Sequence, residues 1–204
     1  MCKAVRSLLL VLSAGAAACA PKALVYQAPD FAARAPASVA VLPFDNATTS
    51  LLGPVLLRKK VAESLRGRGW QVKGEEETDS ALQAIGLTDG GQINAFKPEA
   101  LAQALSVDGY FWGSVERFSY RNVGFFSQRA VELTLKLVEP KSGESLWEGQ
   151  GQGLTVRIET DKKEAGKAFV EGLAVQALET MLGSPLVLES DEAVSRLLSS
   201  LPGR

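Results

Sequence analysis

The sequence contains no histidine, and its two cysteines, Cys2 and Cys19, both lie near the amino terminus. Histidine is the commonest general base and the commonest zinc ligand in proteins. The sequence therefore excludes Ser-His-Asp and Cys-His catalytic arrangements and histidine-containing zinc sites. We expect no enzymatic activity, no resident metal and no cofactor.

The sequence also lacks a long apolar run and an excess of positive charge. Its longest aliphatic run, Leu8–Leu12, is far shorter than the ~20 residues that cross a membrane. The formal net charge of −1 gives no reason to expect a nucleic-acid partner. At 204 residues, 46% of them hydrophobic and 22% charged, the composition is typical of one globular domain.

The first nineteen residues have the order of a secretory signal. Lys3 and Arg6 precede the aliphatic run Leu8–Leu12, and small residues fill 13–18 up to Cys19. Cys19 after small residues is similar to the lipobox of bacterial lipoproteins, where the cysteine is acylated after cleavage. Ala16 stands where the lipobox usually has leucine, and residues 16–18 would also suit the ordinary signal peptidase, which leaves a free thiol. The sequence predicts a signal peptide at 1–18 and lipidation, including palmitate, at Cys19.

An acylated Cys19 would place the domain on a membrane. Two or three acyl chains hold a protein far more firmly than a single chain, which is marginal. Ala20, where a retained lipoprotein of Gram-negative bacteria usually has aspartate, favours the outer membrane, with the domain facing the periplasm or the cell surface. Removal of the signal leaves 20 basic and 23 acidic residues and no other thiol. We predict a lipidated tether at 19–36, one domain at 37–183 and a tail at 184–204 that carries a short helix.

The pattern of residues 109–149 predicts a three-stranded antiparallel meander. Val131, Leu133, Leu135 and Leu137 alternate with polar residues, which places one face of that strand on a core and the other in water. We expect a turn at 140–143, and we interpret the glycines of 149–153 as a bulged strand.

The rest of the chain is interpreted as helices and strands that cover the meander. The apolar run 38–44 predicts an inner strand and 70–73 a short one. Glycines end a helix at 51–66, Pro98 begins one at 98–105, and acidic residues precede one at 78–85. The longest helix, 161–182, carries a stripe that we expect in the core. That stripe comprises Val170, Leu173, Ala174, Ala177, Leu178 and Met181. The prediction is an α/β (α+β) fold with a mixed sheet, a carboxyl-terminal antiparallel meander and helices packed on it.

Two segments resemble known families. Residues 39–46, Val-Ala-Val-Leu-Pro-Phe-Asp-Asn, resemble the first strand of CsgG, of the TolB amino-terminal domain and of LpoB. Residues 86–88, 100–113 and 137–149 resemble a bacterial lipoprotein family of unknown function that includes a neisserial genome-derived vaccine antigen. The resemblance implies a TolB amino-terminal-like domain on the outer membrane, beside a CsgG-like lipoprotein. It supplies no catalytic residues.

Contact surfaces are the remaining candidates for a functional site. Phe125 and Phe126 lie at a strand connection and could be exposed anchors for a partner, or they could pack inward. An acidic metal site at residues 75–79 is less favoured than a solvated helix start. We expect a non-enzymatic accessory or assembly component of an envelope complex, with a CsgG-like channel lipoprotein as candidate partner. The alternatives are an LpoB-like activator of a peptidoglycan synthase, a self-assembling pore subunit, and a periplasmic hydrolase.

Overall fold

The computed structural model describes residues 26–203, which form a seven-stranded mixed sheet covered by helices on both faces. The strands are β1 (Tyr26–Gln27), β2 (Ser38–Val41), β3 (Asp45–Asn46), β4 (Gln71–Val72), β5 (Gly109–Asn122), β6 (Phe126–Val138) and β7 (Ser145–Ile158). The helices are α1 (Phe31–Arg34), α2 (Leu52–Gly67), α3 (Glu75–Ala84), α4 (Pro98–Leu105), α5 (Lys162–Met181) and α6 (Val187–Leu198), with a 3-10 helix at Gly90–Ala95. The predicted signal at 1–18 and the first part of the predicted tether, including Cys19, lie outside the described residues.

The sheet has an antiparallel half and a parallel half. Its strand order is β1-β7-β6-β5-β2-β4, and β3 pairs with β5 off this path. The long strands β5, β6 and β7 form the predicted antiparallel meander, while β2 and β4 run parallel to β5. The fold class expected from the sequence is confirmed.

The predicted alternation on β6 is also confirmed. Val131, Leu133, Leu135 and Leu137 are all buried, and Lys136, from the opposite face, is exposed. The buried face packs under α2 and α6, where Phe111 makes edge contacts with Trp70 and Trp147. A second apolar cluster on the other face lies under α3, α4 and the 3-10 helix.

In the structure, residues on both sides of the predicted domain at 37–183 pack on it. Residues 26–36 do not act as a free tether, because Tyr26 and Gln27 pair with β7 and Phe31 is 5% exposed. Arg34 then binds Glu139 at 2.5 Å and Glu144 at 2.7 Å across the β6–β7 connection. The predicted tail also belongs to the domain, because α6 buries Val194, Leu197 and Leu198 in the main core; Leu201, just beyond the helix, is buried there too.

The glycines of β7 form a track for α6 rather than the predicted bulge. Gly149, Gly151 and Gly153 pair in regular register with β6, and the only β6–β7 irregularity in the described strands lies between Leu137 and Val138. A Cβ atom on Gly151 would collide with the carbonyl of Ala193 in α6. The absence of side chains at these positions therefore lets α6 lie directly on the strand.

Candidate functional site

The three long strands extend beyond the other strands of the sheet and end in a tight hairpin connection. Gly124, in the left-handed region at φ +83°, turns the chain between β5 and β6. Asn122 accepts a hydrogen bond from the Gly124 N–H at 3.1 Å through its Oδ1 atom, and the Val123 N–H donates to the Phe126 carbonyl at 2.9 Å. Glycine is the residue that adopts this backbone conformation without strain.

Apolar side chains are exposed at this end of the ribbon. Phe125 is 64% exposed, Val123 is 55% exposed and Ile158 is 67% exposed. Leu154 and Val156 precede Ile158 on the same face of β7, away from α6, and are exposed as well. We call these five residues the distal tip. Phe126 differs from Phe125, because it is half-buried in β6 and pairs with Ile158.

Helix α5 follows the distal tip and lies outside the core. None of its twenty residues, all of them described, is buried. The α5 residues that face the sheet have small side chains or none. Ala165, Ala168 and Gly172 are partly covered, and Gly172 lies against the Tyr120 hydroxyl. The core position predicted for the apolar stripe is therefore wrong, because α2 and α6 already cover that face of the sheet.

The apolar stripe of α5 faces outward instead. Its large side chains are exposed at successive turns, and Met181 is 86% exposed. We call this surface the α5 outer face; it comprises Phe169, Val170, Leu173, Leu178 and Met181. At its carboxyl end lies an open groove of about 390 Å³, lined on the other side by Leu51 and Leu52 at the start of α2. Both leucines are exposed.

A buried ionic cluster joins α5 and α6 to the ribbon. Arg129 on β6 makes two hydrogen bonds to the Glu179 carboxylate, at 2.6 and 2.8 Å, and one to Glu189 at 3.0 Å. The Thr155 hydroxyl also donates to Glu189, at 2.6 Å, and the Arg129 guanidinium lies 5.7 Å from the centre of the Tyr120 ring. This cluster fixes the carboxyl-terminal part of α5, where Glu179 also accepts from the Leu186 N–H.

The pKa values of the cluster reflect its pairing. Burial alone would lower the pKa of Arg129, but hydrogen bonds to Glu189 and Glu179 raise it above its usual value. Burial alone would raise the pKa of Glu189, but hydrogen bonds from Arg129 and Thr155 hold it below its usual value. Both groups are therefore charged at neutral pH, and the cluster is an ion pair rather than a proton-transfer device.

A cavity of about 220 Å³ lies between the distal tip, α5 and this cluster. Its lining includes Phe125, Arg129, Arg157, Gly172 and Glu189. The Oε2 atom of Glu189 accepts no hydrogen bond from any residue in the described range. The Glu189 carboxylate is already paired with Arg129, so we interpret this cavity as a gap in the packing beneath α5.

The acidic residues singled out in the sequence do not form a metal site in the described part of the chain. Within residues 26–203, no group of three or more carboxylate or thiol side chains is placed to hold a metal ion. The acidic residues 75–77 lie in the first turn of α3, and Asp79 of the same helix binds Arg58 at 2.7 Å. Arg58 is buried and donates to the Val41 carbonyl. In the described part of the chain, no helix has the length and apolar content needed to cross a bilayer.

Three comparisons with known proteins agree with this fold. The family described as "Putative lipoprotein GNA1162-like" matches residues 26–202. A lipoprotein of Neisseria meningitidis serogroup B is 26% identical over 145 residues, which cover 69% of this chain and 67% of that protein. The crystal structure of lipoprotein GNA1162 from N. meningitidis is similar with a TM-score of 0.56 at 22% identity, over 71% of this chain and 99% of the other.

A second solved structure is similar over a larger share of the chain. The PelC dodecamer from Paraburkholderia phytofirmans has a TM-score of 0.53 at 17% identity, over 89% of this chain and 98% of that chain. At these identities, both solved structures establish the fold alone.

Proposed function

The chain belongs to the GNA1162-like lipoprotein family, and from this membership we propose that it is an outer-membrane lipoprotein that works by contact. It acts without catalysis, as an accessory or assembly component of an envelope complex. The anchor is the acylated Cys19, and the candidate partner is a CsgG-like channel lipoprotein, as the resemblance of residues 39–46 implies.

The observation that carries this proposal is the α5 outer face. A helix with apolar residues at successive turns is normally packed against something, because exposing that area to water costs free energy. Here none of the described α5 residues is buried, so the surface is available to another protein. The neighbouring groove, with Leu51 and Leu52 on its far wall, would admit an apolar side chain from the partner. Phe and Met side chains, such as those of Phe169 and Met181, are enriched in protein interfaces relative to the rest of the surface.

Self-association is the second candidate for covering the α5 outer face. PelC, whose structure is described as a dodecamer, has a similar fold over most of this chain. A second copy of this chain could therefore occupy the surface in place of, or beside, a different envelope protein.

Site-specific crosslinking in the membrane tests the proposal. A photoreactive residue at Leu173, on the α5 outer face, should form an adduct with a CsgG-like lipoprotein; an adduct with a second copy would assign the face to self-association instead. The same residue at Glu171, on the other side of the helix, is the matched control. Repeated recovery of no envelope partner from either position would contradict the proposal.

Substitution of the same face separates binding from folding. Because Leu173 and Met181 are exposed, Leu173→Gln with Met181→Gln should change the free energy of unfolding by about 0.5 kcal/mol or less while abolishing partner recovery. The paired control, Glu164→Gln with Glu171→Gln, should leave recovery intact. Purified protein that turned over a substrate would overturn the non-enzymatic part of the proposal.

The anchor has its own test. After a high-salt wash, Cys19→Ala should release the protein from the membrane fraction, and the mass of the mature amino terminus should show acyl chains when Cys19 is present. A free thiol at Cys19 in the mature protein would refute anchoring by lipid.

A further inference from the structure

The direction in which the chain leaves the domain links the amino terminus to the distal tip. Tyr26 pairs with Glu148 and Gln27 with Trp147, so β1 runs antiparallel to β7. Traced backwards from Tyr26, the chain therefore points along β7 toward Ile158, which belongs to the distal tip.

The spacing between Cys19 and the domain is short. Six residues lie between Cys19 and Tyr26, and the seven Cα–Cα steps span at most about 25 Å when fully extended. From Glu148 to Ile158, β7 advances by about 34 Å at the usual rise of an antiparallel strand. The tether is shorter than this distance, so an anchor at Cys19 and the distal tip reach the bilayer together only when the ribbon is tilted by about 40° or more from the bilayer normal.

The distal tip has the surface that a lipid interface accepts. Phe125, Val123 and Ile158 are all more than half exposed, and they gather at one end of the ribbon. Apolar side chains on a soluble surface, set among basic residues, bind at the boundary between headgroups and acyl chains.

The two chain segments that carry the distal tip differ in the sign of their net charge from the domain. Residues 121–126 and 154–167 contain five basic and three acidic side chains, whereas the chain from residue 19 onward has 20 basic and 23 acidic ones. One of the three acids, Asp161, caps α5 by accepting from the N–H groups of Lys163 and Glu164. A local excess of Lys and Arg is attracted to anionic lipid. The basic side chains are Arg121, Arg157, Lys162, Lys163 and Lys167.

We propose that the distal tip docks on an anionic lipid surface, with Phe125 and Ile158 inserted at the headgroup boundary and the surrounding basic residues on the headgroups. This contact rests on the proposed function in one respect, since acylation of Cys19 supplies the short tether.

Vesicle binding by an unacylated chain tests the contact separately from the anchor. The chain produced from residue 19 onward with Cys19→Ser should sediment with vesicles of phosphatidylethanolamine and phosphatidylglycerol. It should bind vesicles of phosphatidylethanolamine and phosphatidylcholine less, and added salt should weaken the binding. Phe125→Ser with Ile158→Ser should reduce binding by about tenfold or more. Both side chains are exposed, so the melting temperature should not change, and Val55→Ser with Ile85→Ser is the matched control at exposed apolar positions elsewhere.

A dye on a single cysteine locates the contact in the anchored protein. The mature chain has no thiol besides Cys19, so Phe125→Cys can be labelled alone once Cys19 is acylated. In proteoliposomes a lipid-borne quencher should quench the label at position 125 and not a label at Gln83→Cys, on α3. Equal quenching at both positions, undiminished vesicle binding by the double variant, or self-association through the tip with no vesicle binding would each overturn the proposal. A free Cys19 thiol would refute the anchor alone, because the vesicle arm does not depend on it.

Discussion

At the scale of single residues, Arg129 connects three elements. It lies on β6 and binds Glu179 of α5 and Glu189 of α6. Glu189 is 1% exposed, so its charge is tolerated only because Arg129 and Thr155 satisfy it. Removing one member of such a buried pair leaves the other charge without compensation.

Substitution of Arg129 should therefore cost much more than loss of an exposed pair. We expect Arg129→Met to lower the free energy of unfolding at neutral pH by about 3 kcal/mol, measured by urea denaturation. The control is Arg117→Met, because Arg117 is half exposed and its contact with Glu132 is 3.9 Å long; that variant should change stability by about 0.5 kcal/mol or less. Equal effects of the two substitutions would show that the cluster does not stabilise the fold.

The same cluster predicts a loss of stability in acid. The pKa of Glu189 is lower in the folded protein than the usual value of 4.5, chiefly because hydrogen bonds from Arg129 and Thr155 outweigh the effect of burial. A carboxylate with a depressed pKa stabilises the fold above its unfolded pKa, and that contribution disappears as the pH falls through the folded pKa. Denaturation curves should therefore show stability falling as the pH drops below about 4.5.

The variant Glu189→Gln tests whether Glu189 contributes to this pH dependence of stability. Glu189→Gln should be less stable at neutral pH and should lose less stability than the unmodified chain on going to acid. Glu164→Gln, at an exposed position on α5, should keep the steeper dependence. An unchanged slope in Glu189→Gln would assign the acid sensitivity to other carboxylates, such as Glu139, whose pKa is lowered by hydrogen bonds from Arg34 and Ser142.

At the scale of elements, the glycine track of β7 decides which helix covers the meander. Gly151 and Gly153 let the backbone of α6 approach the strand so closely that a Cβ atom would meet a carbonyl of the helix. Strands with larger side chains would hold a helix farther away, near the usual ~10 Å layer spacing. Because α6 occupies the face, α5 is displaced to the outside, and its apolar stripe is left exposed.

A pair of alanine substitutions tests this packing. Gly151→Ala should push α6 off β7 and lower the free energy of unfolding by about 1–3 kcal/mol, as overpacking does in other cores. Gly166→Ala lies within α5 and meets no atom within 4 Å, so it should be neutral or stabilising by about 0.5–1 kcal/mol through helix propensity. Thermal denaturation of both variants distinguishes the steric contact between α6 and β7 from the effect of helix propensity. If Gly151→Ala were as stable as the unmodified protein, the close approach of α6 to β7 would be contradicted.

At the scale of the whole molecule, both ends of the described chain are part of the domain. The amino-terminal segment is held by Phe31, which is buried, and by Arg34, which binds two carboxylates near the β6–β7 turn. The carboxyl-terminal segment contributes α6 to the main core. The folding unit is therefore larger at both ends than residues 37–183.

Truncation at the carboxyl end should show this directly. A chain that ends at Gly183 loses α6 and the buried side chains of Val194 and Leu197, and each such loss costs about 2–5 kcal/mol, so we expect it not to fold. A chain that ends at Leu201 keeps every buried residue of this segment and should retain the cooperative melting transition of the full protein. Circular dichroism and thermal melting show whether each truncated chain folds. A folded chain ending at Gly183 would contradict the assignment of α6 to the core.

The sequence predicted the meander because alternation on a half-buried strand is a local pattern. Val131, Leu133, Leu135 and Leu137 identify the buried face without knowledge of what covers it. It also predicted Pro98 at the start of α4 and a strand connection that carries Phe125, but it left open whether Phe125 is exposed or packs inward. The end of a helix or the position of a turn depends on residues within a few positions, so these elements could be read from the chain alone.

The sequence by itself determined that this protein contains no histidine, carries Cys19 directly after a run of small residues and builds a mixed sheet around an antiparallel meander. Only the tertiary structure decided that α6 rather than α5 covers that sheet, that Glu189 is paired with Arg129, and that the distal tip is exposed. An apolar stripe indicates that a helix surface is covered, but it does not identify the element or partner that covers it. Either helix could cover this face of the sheet. Contacts between residues far apart in the sequence decide which helix does so, and a local sequence pattern does not contain those contacts.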